Sequence, residues 1–229
     1  MFRIKMIDAR GNDRGLFIQT GLDHPGIPRI YLLKTHGLIK MAVVEYFPGM
    51  TLGENVRKGL IFRDCETVDG MSRRITQIMS ELCGILDYIH SKNLRSPVLH
   101  LDIHPDNLIW HRGRLRLIDF GNARYGYEGA ERTVPRVCRG FAAPELYEGG
   151  DICEASDIYS AGRVMLYLLG CAAAYFDWEG DMRCEMLLDV ALECVRRDVR
   201  KRPQSAAELM YRIREGRRAE KAGLGNTAG

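Results

Sequence analysis

The chain has 229 residues, 46% hydrophobic and 28% charged, which is ordinary for a globular protein and long enough for one large domain or two small lobes with a sizeable core. Its 33 basic and 30 acidic residues leave a formal charge of +3, too even a balance to imply nucleic acid or another polyanion as partner. The longest apolar run, 164–176, is broken by Gly170 and too short to span a membrane, and Arg3, Lys5, Asp8 and Arg10 interrupt the start where a signal peptide would be apolar. Seven cysteines without a C-x-x-C pair point to free thiols, so a cytoplasmic location is expected.

In chain order, Phe2-Arg3-Ile4-Lys5-Met6-Ile7 alternates as a strand does. The runs 30–33 and 38–45, joined by Lys34-Thr35-His36-Gly37, predict a β-hairpin, and Tyr46-Phe47-Pro48-Gly49 then marks a boundary. From Val68 to His90, Ile75, Ile78, Met79, Leu82, Leu86 and Ile89 recur at three- and four-residue steps, predicting a long helix with one buried face. Leu108-Ile109-Trp110, the polar turn His111-Arg112-Gly113-Arg114, and Leu115 and Leu117 alternating with Arg116 predict a second hairpin. Beyond Glu145 the chain reads as helices, with Ile158, Met165, Leu166, Leu168 and Leu169 inward and Ala191, Leu192 and Val195 on another amphipathic face. Ser205-Ala206-Ala207-Glu208 is a capping box opening a last helix, with Leu209, Met210 and Ile213 inward. Residues 217–229, rich in charge, glycine and alanine, are expected to form an unstructured tail.

The second hairpin would return the chain so that Asn107 and Asp119 sit at one end. Mg²⁺ takes oxygen ligands and keeps waters and phosphates in its shell, so one Asp and one Asn oxygen suffice. Asp102, five residues before Asn107, is placed to accept a hydroxyl proton. A loop that needs Asp and Asn only for its turns would explain any one of these residues alone.

The stretch His100-Leu101-Asp102-Ile103-His104-Pro105-Asp106-Asn107, followed by Asp119-Phe120-Gly121, resembles the H-R-D-x-x-x-x-N and D-F-G loops of the protein kinase superfamily. Further landmarks follow in order: Ala143-Pro144-Glu145 is similar to A-P-E, Asp157-Ile158-Tyr159-Ser160-Ala161-Gly162 to D-x-W-S-x-G, and Arg202-Pro203 to the late arginine that pairs with the A-P-E glutamate. The resemblance implies an α+β, bilobal fold: a reduced β lobe and hinge over 1–47, a mainly helical lobe over 48–216, then the tail. It implies ATP and Mg²⁺ as cofactors and a protein substrate or regulatory partner. Asp102, His104 and Asn107 would be catalytic, Lys5, Glu45, Phe47, Ile109 and Asp119 would hold nucleotide, and Asn107 and Asp119 would hold the metal. Val44 would guard the back pocket, and Asp157 would anchor the catalytic loop's backbone.

Several positions depart from the pattern. Lys5 falls on the V-A-I-K lysine, but Arg3 replaces the small alanine and no room remains upstream for a glycine-rich loop; an exposed edge-strand lysine is the alternative. The regulatory helix belongs in 8–22, where Gly11, Gly15 and Gly21 each weaken a helix interior by about 1 kcal/mol. Counting back from Asp23-His24-Pro25-Gly26-Ile27-Pro28, which is similar to H-P-N-I-V, the ion-pair glutamate falls on Gly15, so Lys5 is expected to lose its usual tether. His104 stands where protein kinases have lysine. It either donates a hydrogen bond and part of a charge, as in the H-G-D-x-H-P-x-N loops of aminoglycoside-kinase relatives, or serves as a turn residue. Cys138 replaces a threonine, and Leu101 replaces the H-R-D arginine, so switching by phosphorylation of Thr133 is not expected. Arg132, Arg136 and Arg139 either engage an acidic substrate or, as the simpler account has it, are solvated. Three functions stay open: a serine/threonine protein kinase, a pseudokinase scaffold, and a small-molecule phosphotransferase.

Overall fold

The computed structural model describes residues 2–8, 14–37, 39–92, 96–126 and 138–223. Strands β1 (Phe2–Asp8), β2 (Ile30–His36) and β3 (Ile39–Glu45) form an antiparallel sheet in the order β1-β3-β2. Lys5 and Leu33 both pair with Ala42, which is fully buried, while Phe2 and Ile4 are exposed on the opposite side of the pleat. The β2–β3 turn is tighter than the sequence suggests, because β2 continues through His36 and the reversal begins at Gly37 with φ 57°. Helix α1 (Arg14–Thr20) buries Leu16, Ile18 and Gln19 despite its glycine.

Two short elements follow, β4 (Met50–Thr51) and α2 (Leu52–Arg57). Thr51 caps α2 through a reciprocal box: its hydroxyl accepts from the Glu54 amide at 3.1 Å, and the Glu54 carboxylate accepts from the Thr51 amide at 2.9 Å. Helix α3 (Val68–Ser91) is the axle of the large lobe. The stripe from Ile75 to Ile89 is fully or almost fully buried, as its spacing requires. Around it run β5 (Val98–Leu99), β6 (Leu108–His111), β7 (Arg114–Leu117), β8 (Arg124–Tyr125), α4 (Glu145–Glu148), α5 (Glu154–Ala172), α6 (Met182–Cys194) and α7 (Ala206–Gly223). Helix α5 packs closely on α6, where a Cβ at Gly162 would stand 2.4 Å from that of Cys194.

Three expectations about the helical part need correcting. Leu192 faces outward, 49% exposed, because the buried stripe of α6 runs through Cys184, Leu187, Ala191 and Cys194 instead. Helix α7 is continuous to Gly223, so residues 217–223 of the expected tail are helical, and 224–229 lie outside the described residues. The capping box at α7 is displaced by one residue on one side. Ser205 accepts from the Glu208 amide at 3.1 Å, but the Glu208 carboxylate accepts from Gln204 at 2.8 Å.

The two lobes are stitched by the segment before β2. The Asp23 amide donates to the Tyr88 hydroxyl at 2.8 Å, the His24 ring lies 4.9 Å from that of Tyr88, and the Leu117 amide donates to the Gly26 carbonyl at 2.8 Å. A Cβ at Gly26 would meet the Ile85 side chain at 2.5 Å, so the glycine lets this loop lie close on α3. No helix among the described residues is long and apolar enough to cross a membrane.

Candidate active site

The β6–β7 hairpin turns on Arg112 and Gly113, at φ 49° and 75°, a two-residue turn whose twist suits the flanking strands. Its register pairs Leu108 with Leu117 and Ile109 with Arg116, and at the open end the Ile118 amide donates to the Asn107 carbonyl at 2.9 Å. Asn107 and the residue before Asp119 are thereby bonded, and the metal-type residues come to one end as the spacing predicted. The Asn107 carboxamide nitrogen donates to the Asp102 carbonyl at 2.9 Å and to its carboxylate at 3.3 Å.

The catalytic loop is held from below. Leu101 has φ 62°, which a leucine keeps only when its surroundings fix it, and the fully buried Asp157 does so. The Asp157 carboxylate accepts from the His100 and Leu101 amides, each at 2.8 Å, as expected of an anchor. Its third bond, 3.0 Å from His90 Nε2, had no signal in the sequence beyond a histidine on the buried side of α3. Burial alone would raise the Asp157 carboxyl, but the His90 bond and the His100 amide hold it below the usual range. His100 is also fully buried, its ring edge-on to Phe120 with centroids 4.7 Å apart, and desolvation lowers its pKa to about 4.

Burial raises the Asp102 carboxyl above the usual range; His104, Asn107 and Asn122 pull it down, and the nearby Asp119 charge adds to the rise. Asn122 is a partner that no sequence pattern marks. His104 Nε2 lies 3.7 Å from Asp102 Oδ1, too far for a hydrogen bond and near enough to act through charge. The next ring to His104 is Phe141, with centroids 6.4 Å apart.

Lys5 reaches this group directly, its Nζ 2.8 Å from Asp119 Oδ1. The usual helix carboxylate is absent, as expected with Gly15 in its place, and the lysine pairs instead with Asp119 of the D-F-G-like loop. Asp119 itself has φ 62°. Burial would raise its carboxyl, yet the Lys5 hydrogen bond and charge, with the Gly121 amide, bring it below the usual range. Both side chains of the pair stay about half exposed, open to a ligand.

Elsewhere the site residues are placed as follows. The Glu45 amide donates to the Arg29 carbonyl at 2.8 Å and its carboxylate accepts from the Arg29 amide at 3.2 Å. The Phe47 ring carries the Arg116 guanidinium at 4.8 Å, a cation–π contact beside Ile109. Leu101 is 2% exposed in an apolar cluster with Leu99, Ala142, Ala143 and Leu146. Cys138 and Arg139 are exposed, and Arg132, Thr133 and Arg136 lie outside the described residues.

The remaining landmark is Glu145. The Arg202 guanidinium meets its two oxygens at 2.7 and 3.0 Å and also donates to the Ala155, Arg196 and Arg197 carbonyls. The Ser156 hydroxyl donates to the same carboxylate at 2.7 Å. Residues 14–215 match the protein kinase domain family. The chain belongs to that family.

The kinase domain is 26% identical over 208 residues to the putative ribosomal protein S6 kinase alpha-2 of Caenorhabditis elegans, a match covering 83% of this chain and 22% of that protein. It is 33% identical over 161 residues to serine/threonine-protein kinase B of Synechocystis, covering 64% and 25% of the two chains. It is 31% identical over 154 residues to serine/threonine-protein kinase PrkC of Bacillus subtilis, covering 66% and 22%. The matched segments span a quarter or less of these relatives' length. Strand β1, with Lys5, precedes the part of the kinase domain that matches the family.

Proposed function

We propose that this domain is a serine/threonine protein kinase that transfers a phosphoryl group from Mg-ATP to a protein hydroxyl, with Asp102 as the base. The observation that carries this reading is the Asn107 carboxamide, which ties Asp102 through its nitrogen, beside an Asp119 carboxylate whose Oδ1 pairs with the Lys5 ammonium at 2.8 Å; a bound Mg²⁺ would take the Asn107 Oδ1 and an Asp119 oxygen. Two oxygen donors at the end of one hairpin fit Mg²⁺, and the half-exposed Lys5 ammonium fits a phosphate. When bound, the nucleotide supplies the phosphoryl group and the metal supplies neutralisation of its developing charge.

The chain's own residues do the rest. Asp102, raised by burial, is a stronger proton acceptor than a surface carboxylate and is oriented by Asn107 to receive the hydroxyl proton. His104, at 3.7 Å, steadies the ionised carboxylate and offers a donor to the transferring group. Lys5 orients both Asp119 and the phosphates, and Ile109 and Phe47 give the base an apolar seat, with the Glu45 backbone at its edge. Free thiols at all seven cysteines support a reducing, cytoplasmic setting, and a protein substrate or regulatory partner follows from the family.

A pseudokinase scaffold is the second reading, favoured by Gly15 at the position of the ion-pair glutamate. Incubation with labelled ATP, Mg²⁺ and a serine/threonine-rich protein separates the two. Transfer that falls by about 10²- to 10⁴-fold in Asp102→Asn supports the kinase. No transfer, and no rise in melting temperature with Mg-ATP, supports the scaffold. Consumption of ATP with small alcohols or sugars alone would instead favour a small-molecule phosphotransferase.

A further inference from the structure

Helix α1 lies against the turn at residues 120–122 with no side chain between them at Gly15. A Cβ there would stand 1.7 Å from the Phe120 carbonyl oxygen, 2.6 Å from its carbon and 3.1 Å from the Gly121 Cα. These are main-chain atoms of a turn whose side chain, Phe120, is 1% exposed, so nothing flexible can step aside. The helix is fixed from its own side as well. Leu16 and Ile18 are buried, and the buried Gln19 donates to the Pro28 carbonyl at 2.7 Å. The turn that α1 presses upon begins at Asp119, which has the left-handed backbone, φ 62°.

We infer that Gly15 is a positioning residue: by lacking a side chain it lets α1 clamp the Phe120 peptide, which holds Asp119 in the turn that aims its carboxylate at Lys5. In this arrangement Lys5 takes its partner from the metal loop, and a carboxylate on α1 is not merely dispensable but sterically barred. Glycine at this position is thus a built feature and not a lost glutamate. The catalytic meaning of the clamp rests on the Mg-ATP reading above, whereas the clamp itself does not.

The test uses the full chain with Gly15→Ala, Gly15→Glu, Ile18→Ala and, as control, Gly21→Ala, whose added methyl would meet only the Ile18 carbonyl at 3.5 Å. Ile18→Ala undercuts α1 without adding an atom against Phe120, and so serves if the Gly15 variants do not fold. Two quantities are read: amide hydrogen exchange over residues 118–123 without ligand, and the Mg²⁺ concentration that gives half of the ATP-induced rise in melting temperature.

Exchange is expected to quicken in Gly15→Ala and Ile18→Ala and to stay unchanged in Gly21→Ala. The Mg²⁺ requirement should rise at least about tenfold in the first two, the scale of losing the outer support of a metal ligand. Metal-free ATP binding should change less, and Gly15→Glu should abolish the shift. Unchanged protection over 118–123 in any folded variant at Gly15 or Ile18 overturns the inference. A wild-type protein with no Mg²⁺-dependent shift, combined with quickened exchange in the variants, overturns the kinase reading and leaves the clamp standing.

Discussion

Arg202 and Glu145 form an ion pair whose side chains are 0% and 6% exposed; Lys5 and Asp119 form one at 45% and 48%. The first sits in the large lobe, where the guanidinium is surrounded by carbonyls and lies 4.9 Å over the Tyr159 ring. The second joins the small sheet to the metal loop, with solvent on both partners. Desolvation makes the buried pair obligatory, because either member alone would be an uncompensated charge in a dry site. Screening makes the open pair nearly neutral for stability and leaves it free to exchange partners with a ligand. The buried pair therefore fixes structure, and the open pair contributes little to it.

The sharpest way to break that contrast is Arg202→Ala. Stranding Glu145 should lower stability by about 3–5 kcal/mol, several times the effect expected at Lys5. In a domain of this size the melting temperature should fall by roughly 10 °C. Replacing both members with apolar residues should recover most of the loss, since the penalty lies in the unpaired charge. A fall of only a degree or two in the single variant would show that the buried pair is no more structural than the open one.

Next in size is the response of the large lobe to acid. The His100 pKa in the fold is about 4, against 6.5 when unburied, so between those values the unfolded chain binds the extra proton. Stability contributed by keeping this ring neutral is complete above about pH 6.5 and is lost as pH falls toward 4. The full difference is of order 3 kcal/mol. Thermal unfolding across that window should show the decline in the wild-type protein and a flatter line in His100→Asn, whose Oδ1 can replace Nδ1 as acceptor for the Asp102 amide, a 3.3 Å bond here. Equal slopes would remove His100 from the account.

Lys5→Met sharpens the other side of the comparison. The pair is too exposed for its loss to alter stability by more than about 1 kcal/mol. Its share is present at neutral pH, since the Asp119 carboxyl is lowered in the fold, and is lost only as pH falls through that lowered value. The melting temperature without ligand should barely move while the Mg-ATP-induced rise disappears. A large drop in ligand-free stability would mean that Lys5 is a structural residue after all.

The same contrast explains what could be read in advance. The hairpin was legible because local rules fix it, Gly113 making the turn that brings Asn107 and Asp119 to one end, whereas Asp157 beneath the loop was legible only through its resemblance to the family's D-x-W-S-x-G motif. Gly15 was not legible. Counted as a helix position it is a weak residue at the site of a missing carboxylate, and only the 1.7 Å approach to the Phe120 carbonyl shows why nothing else fits. Asn122 and His90 escaped for a related reason: each acts through a partner far away in sequence or hidden by a turn, and neither interrupts a hydrophobic period.

The smallest effect predicted is none at all, and it concerns Leu101. In kinases switched by phosphorylation, the arginine at this position grips a phosphate on the activation segment. Here the left-handed backbone at φ 62° turns the leucine into the cluster formed by Leu99, Ala142, Ala143 and Leu146, which ties the catalytic loop to the Glu145 helix by apolar contact. A charge arriving at Thr133 would find no cation at residue 101. Thr133→Glu should therefore leave the transfer rate within about twofold of the wild-type value, since residue 101 offers no cation for the new charge to engage. A tenfold rise would require a cationic grip supplied from elsewhere. Adding Leu101→Ala should then leave that rise intact if the grip is independent of the cluster, and abolish it if the cluster transmits the signal.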